Sequence, residues 1–428
     1  MIRWTHLAGI ALFATTAPLL AQAKKPAPKP PVQQVIPPKT VYWLSAATTS
    51  GFGMMGGKPP SAGDMMRMAM GGRGNGPAKT LQLDLGSKLP PSGPPAAAHA
   101  IPPGMAMGPS LALKTPKPDK PGKREEPREL PDDFERPKGK LLLFWGCGET
   151  ARPGQPVVID FAKLAAGQIP PNLFAGERVR IANPPSASTW PTWGGWPNDD
   201  KPSQKGVPPE ASLIGPHKVS GNYTPDINFT LGTDFMAGLD MTQTKLPSGA
   251  LNLGWNMIPN NTGHFAQMMG GAQGSEEEGG TIVFWSSSEL QTFISALGDY
   301  IAPAEAARLV ARKQLMPPAQ TSCAIPKEAI AATQGGLLTL VAHGPEENFI
   351  YPPRPSDPKI PWVQEWAVKA RHVARTGGLA GMDMTAMGGG ATKSGKPKCK
   401  PEASDMVGGT IGAAMSMFGK KKKKEDCE

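Results

Sequence analysis

The sequence predicts a mainly β protein: two β-sandwich-like modules, a short helical insertion in the second, and disordered segments rich in Pro, Gly, Met and Lys. Three observations carry this. Apolar residues alternate at period two in short runs, as in Leu81, Leu83 and Leu85 and again in Leu251, Leu253 and Trp255, which marks half-buried strands. Gly and Pro, 51 and 50 of 428 residues, punctuate these runs at a density near that of low-complexity chains. Ten Trp still supply bulk for ordered cores.

Along the chain, residues 1–23 have the three-part layout of a secretory signal. Arg3 is the only charge before Lys24, an apolar stretch covers 7–20, and Ala21-Gln22-Ala23 offers small residues at a cleavage site. The stretch is shorter than the roughly 20 residues of a spanning helix. Export to the periplasm or the extracellular space is therefore expected. Residues 24–38 are Lys/Pro-rich and suit an extended leader. The first module is expected at 39–185, with strands at 41–43, 81–85, 141–145, 157–161 and 179–181. Its Pro-rich segment 114–140 cannot continue a sheet, because Pro donates no ladder hydrogen bond. Residues 186–212 make a Trp/Pro connection. The second module, 213–376, carries strands at 227–231, 251–255, 282–285, 337–341 and 366–373. Ser288 is placed to cap a helix running through Leu290, Phe293, Ile294 and Leu297. Pro303 suits the first position of another, through Arg308 and Leu309. Residues 377–428 form a basic tail whose composition predicts disorder.

The ordered trio 81–85, 99–108 and 141–145 is similar to 251–255, 264–270 and 282–285, which suggests a duplicated module. Leu253-Gly254-Trp255-Asn256 followed by Asn261-Thr262-Gly263-His264-Phe265 resembles the Trp-bearing strand and next strand of fibronectin type III domains. Leu338-Thr339-Leu340-Val341-Ala342 is similar to that family's later core strand, and 366–373 to its last. The resemblance covers about 215–376 and implies a sandwich that serves as a spacer or binding scaffold. His264 and Leu338 stand where the family often has Tyr, and a helical insertion follows Ser288.

Removing residues 1–23 takes away the charge of Arg3 and leaves +9 of the formal +10. A basic exported chain meets anionic envelope polymers or lipid headgroups rather than nucleic acid. The run Lys420, Lys421, Lys422, Lys423 and Lys424 suits weak contact with an anionic membrane surface. Four Cys, at 147, 323, 399 and 427, allow two disulfides with three possible pairings in an oxidising compartment.

Motifs for catalysis fail on context. Gly51 to Gly56 has dinucleotide-binding spacing, but Pro59-Pro60 follows where a helix is needed. Gly390 to Lys396 is similar to a phosphate-binding loop, but Pro397 stands where Ser or Thr should bind magnesium. Ser286-Ser287-Ser288-Glu289 lacks a nucleophile elbow. His343 beside Glu346 and Glu347 is the most suggestive local cluster, and it also fits a solvated turn. A secreted hydrolase remains a distant alternative.

Methionine is abundant, 21 residues, and clustered. Met65, Met66, Met68 and Met70, with His99 near Met105 and Met107, and His264 near Met268, form a candidate copper(I) or silver(I) set, since thioethers are soft ligands. The competing reading is adaptable core filling. Trp190, Trp193 and Trp196 recur every third residue. In a polyproline II helix their rings would share one face, ready to stack on a sugar or a protein partner; the alternative is a lid folded onto a sandwich. The combined expectation is a non-catalytic exported cell-envelope binding or scaffold protein that contacts a glycan or protein through these Trp, with a Met-rich metal-binding protein as the alternative.

Overall fold

The computed structural model describes residues 32–51, 77–115, 138–168, 179–198, 206–275, 279–292 and 295–381. These residues are mainly β, as predicted. The strands in chain order are β1 Val35–Ile36, β2 Thr40–Gly51, β3 Ala78–Ser87, β4 Ala97–Ala100, β5 Ser110–Leu113, β6 Lys140–Trp145, β7 Val157–Asp160, β8 Thr192–Trp196 and β9 Gly215–Gly221. They continue with β10 Thr224–Leu231, β11 Met241–Lys245, β12 Leu251–Trp255, β13 Gly263–Ala272, β14 Thr281–Ser286, β15 Ser322–Ile325, β16 Gly336–Tyr351, β17 Trp362–Val363 and β18 Trp366–Leu379.

One nine-stranded sheet, in the order β7-β6-β14-β13-β16-β18-β2-β3-β8, runs through the molecule. Its middle strands β2, β16 and β18 are the longest, with 12, 16 and 14 residues, and each buries a run of its central residues. Against one face, two smaller sheets pack side by side. The four-stranded sheet β10-β9-β4-β5 closes a first lobe, and the three-stranded sheet β11-β12-β15 closes a second. Tyr42, Leu44, Leu83, Leu85, Leu113 and Ile227 are among the side chains filling the first core. Leu253, Trp255, Met268, Trp285, Ile325 and Leu340 are among those of the second. Such interdigitated inner faces follow from the period-two pattern.

The expected division into modules 39–185 and 213–376 differs from what the strands do. β6 and β7 fall in the first range, yet β6 pairs in parallel with β14. β9 and β10 fall in the second, yet β9 pairs with β4. The lobes are thus divided in space and interleaved in sequence. A sandwich made of 215–376 alone does not form, because β9 and β10 complete the other lobe. Nor do the two trios match: β3 lies in the nine-stranded sheet and β12 in the three-stranded one. Period two reports which face of a strand is buried and is silent on its partner.

Local signals fared unevenly. Pro303 opens the helix Pro303–Ala311. Ser288 makes a turn, its Oγ accepting from Leu290 N at 3.2 Å; of the helix expected there, Phe293 and Ile294 lie outside the described residues and Leu297 falls in a 3₁₀ turn, Ser295–Gly298. Residues 179–181 are not a strand. Residue 161 begins the helix Phe161–Ala165, because Asp160 accepts from the backbone N–H groups of Ala162 and Lys163. Between His343 and Glu346 the β16–β18 register shifts. Pro345 has no N–H for the ladder there, and a side chain at Gly344 would stand 2.4 Å from the Met236 sulfur.

Candidate functional site

The outer face of the nine-stranded sheet, opposite the lobe cores, carries the chemistry. Two neighbouring cross-strand rows set it. Asn348, Lys369, Trp43 and Asp84 lie side by side on β16, β18, β2 and β3, and Glu346, Arg371, Ser45 and Gln82 form the adjacent row. Paired residues share a face and sit about 5 Å apart, so alternation alone gathers three cations of β18 here: Lys369, Arg371 and Arg375.

Trp43 is the centre. Lys369 Nζ lies 5.3 Å and the Arg371 guanidinium 4.9 Å from its ring centroid. Arg371 is shared with Tyr300, 4.2 Å away, over which Arg375 also lies, at 5.2 Å. These are cation–π distances. Arg371 is fixed further: its Nε donates to Ser45 Oγ at 2.8 Å and one terminal nitrogen to the Ala182 carbonyl at 3.1 Å. Lys369 pairs with Glu346, and Arg375 with Asp299 at 3.4 Å. A small, partly open cavity of about 10 Å³ lies among Trp43, Tyr300, Arg371 and Glu346, room for one water at most.

Asp84 is buried at the edge of this row. Burial raises its carboxyl to about 6, opposed by the Gln82 amide that donates to it, by the charge of Arg371 and by the Trp193 indole N–H. That N–H faces the carboxylate outside full hydrogen-bonding geometry.

The Trp segment takes a different form from the polyproline platform. It becomes β8, an antiparallel neighbour of β3. In a strand, positions three apart point to opposite faces. Trp196 packs on the first-lobe core and, with Met107 and Leu111, lines an open hollow of about 400 Å³. Trp193 lies on the outer face, its ring folded across Gly195. Trp190 covers Gly86 on that face, with Lys88 Nζ 5.6 Å above its ring. All three Trp are half-buried. The Gly-Gly between them is required by space: a side chain at Gly194 would meet the Tyr223 hydroxyl at 2.4 Å, and one at Gly195 the Trp193 ring at 2.6 Å.

The Met and His residues do not converge where they are described. His99 has both nitrogens engaged, with Tyr42 and with His217, and Met105 is wholly buried. His264 and Met268 are also buried, four residues apart on β13, hence about 13 Å apart along the strand. Met65, Met66, Met68 and Met70 lie outside the described residues, as do the Lys420–424 run, most of 114–140, the 1–23 segment and the end of the tail. Among the described residues no group of three His, Cys, Asp or Glu is placed to hold a metal.

The His343 cluster does not assemble either. Glu346 pairs with Lys369, and Glu347 accepts from the backbone N–H groups of Gly232 and Thr233 at 3.2 and 2.8 Å. His343 is buried, and burial first, then Arg375 and His264, holds its imidazole down to about 3. Ser287 Oγ accepts from Ala266 N at 2.9 Å, which is a structural role.

Sequence reasoning missed Trp43, Tyr300 and Arg371. The period-two spacing of Lys369 and Arg371 in the strand expected at 366–373, with Arg375 just beyond it on the same parity, was the available signal. Compared with protein-family models, curated proteins and solved structures, the chain matches none.

Proposed function

We propose that this chain is an exported, non-catalytic binding or scaffold protein of the cell envelope, and that the outer sheet face around Trp43 contacts a glycan or protein partner. The observation that carries the reading is the half-buried Trp43 ring flanked by Lys369 and Arg371, with Trp193 and Trp190 on the same face. Flat rings suit sugar faces and apolar partner surfaces, and cations beside them suit acidic polymers. Export is supported by the signal-like layout of 1–23 and by the Cys147–Cys323 disulfide, a bond suited to oxidising compartments. In this reading the lysines of 420–424 add a salt-sensitive contact with anionic lipid.

The test is retention of the mature protein, starting at Lys24 by intact mass, on insoluble peptidoglycan at low salt. The double variant Trp43→Ala/Trp193→Ala should lose most retention while thermal melts report whether it stays folded. Single Lys369→Gln, less invasive, should weaken retention and its salt dependence. Wild-type retention no greater than that of a basic control protein would sink the proposal.

A further inference from the structure

Tyr42, on the inner face of β2, faces two histidines of the opposing sheet. Its hydroxyl lies 2.8 Å from His99 Nδ1, His99 Nε2 lies 2.9 Å from His217 Nδ1, and His217 Nε2 lies 2.7 Å from the Leu213 carbonyl. All three side chains are buried, with exposures of 0%, 0% and 3%. Phe229 stacks on His217, 5.0 Å between ring centroids and 9° between planes, and lies 6.1 Å from His99.

The last acceptor sets the direction of the whole chain. A carbonyl oxygen only accepts, so His217 carries its proton on Nε2 and its Nδ1 accepts. His99 must then donate from Nε2, which leaves its Nδ1 to accept from the Tyr42 hydroxyl. Every bond is made and every donor has an acceptor only when both imidazoles are neutral and both are Nε2–H tautomers. One added proton, on either ring, turns the acceptor nitrogens into donors as far as Tyr42. The Tyr42 oxygen then accepts from His99 Nδ1–H, and its own hydrogen is left in an apolar core without an acceptor. A buried donor without a partner is costly, and a buried charge more so.

We propose that Tyr42, His99 and His217 form an acid-operated latch that ties the four-stranded sheet to the nine-stranded one and releases it on proton uptake. The latch joins β2 to β4 and β9 across the apolar first core, while at the far edge the two sheets also meet through the Lys114–Gly195 backbone bridge between the end of β5 and β8. The groups that face it are few. Glu347, on β16, is the acid that acts on His217, and Asp84, on β3, acts on Tyr42. His217 and His99 act on each other. Burial, the first cause, lowers both imidazoles. Stability from such groups is full above the ordinary imidazole value of about 6.5 and is lost as pH falls below it. The second lobe also holds a buried, lowered imidazole, His264, beside Trp255, but it has one such group against the two linked ones of the latch and keeps its disulfide throughout, so the first lobe should open first.

Hydrogen–deuterium exchange on the full chain, corrected for intrinsic rates, tests this between pH 7.5 and 5.0. Amides of β4, β9 and β10 should keep their opening constant above pH 6.5 and raise it about tenfold per pH unit for each proton taken up below that. Amides of β12 and β15 should open later. His99→Gln/His217→Gln should abolish the pH dependence of β9, whatever its baseline. Tyr42→Phe, which removes the stranded hydroxyl and keeps both imidazoles, should make it shallower. Nitrogen-15 imidazole shifts at pH 7.5 should show Nε2–H tautomers at both histidines. An Nδ1–H tautomer at either, or exchange in β9 that is flat from pH 7.5 to 5.0, or simultaneous opening of both lobes, would overturn the latch.

Discussion

Cys147 and Cys323 lie 176 residues apart in sequence and 5.1 Å apart at Cα, joined by a disulfide. Cys147 follows β6 in the nine-stranded sheet, and Cys323 sits in β15 of the three-stranded sheet. The bond therefore staples the two layers of the second lobe. Replacing both with Ala should cost about 2–5 kcal/mol, mostly by freeing a long loop in the unfolded chain. Melting temperature should fall by several degrees, and dithiothreitol should lower that of the wild type but leave the double variant unchanged. Equal sensitivity of both proteins to the reductant would count against the staple.

Gly86 is where the Trp segment docks. An added side chain there would stand 2.6 Å from Pro185 and 2.7 Å from the Trp190 ring. Gly86→Ala should destabilise by about 1–3 kcal/mol through overpacking, and Trp190→Ala in the Gly86→Ala background should restore part of it. Chemical denaturation of the two single variants and the double variant measures the coupling. Additive effects would mean that Trp190 does not press on Gly86.

Asp84 makes a pH prediction of known sign. Burial raises its carboxyl from 3.8 to about 6 in the fold. A raised folded value means that its contribution to stability is whole below the unfolded value and is lost as pH rises through about 6. Asp84→Asn should therefore be neutral near pH 4 and stabilising above pH 6, by about 1–2 kcal/mol after allowing for solvent screening. Urea unfolding at pH 4, 5, 6 and 7.5 reads the difference; a constant gap between the two proteins across that range would rule out Asp84 as its source.

The methionines at 65, 66, 68 and 70 carry what is left of the metal reading, since His99 with Met105 and His264 with Met268 lie in two different lobe cores. If thioethers bind copper(I), anaerobic titration should show tight binding that Leu at these four positions weakens. Leu keeps the apolar bulk and removes the sulfur. Binding no tighter than that of a Met-poor control protein would end this reading.

Sequence and structure divide the answer along a physical line. Alternation in Leu81, Leu83 and Leu85, and the turn residues between runs, determined the mainly β class and the positions of nine of the eighteen described strands, because strand period and turn chemistry are local. Pro303 as a helix start was legible for the same reason. Of the helix expected after Ser288, residues 289–292 do not take part, since a capping side chain also closes an isolated turn. Pairing was beyond local pattern. That β6 runs parallel to β14, that β2 lies between β3 and β18, and that Cys147 meets Cys323 are contacts across 100 residues or more in several cases, chosen by which arrangement buries every inner face at once. The candidate site follows that choice. Trp43, Arg371 and Asp84 come from three distant segments and become neighbours only through register, while Trp193 and Trp196, three apart in sequence, were sent to opposite faces by the same strand geometry.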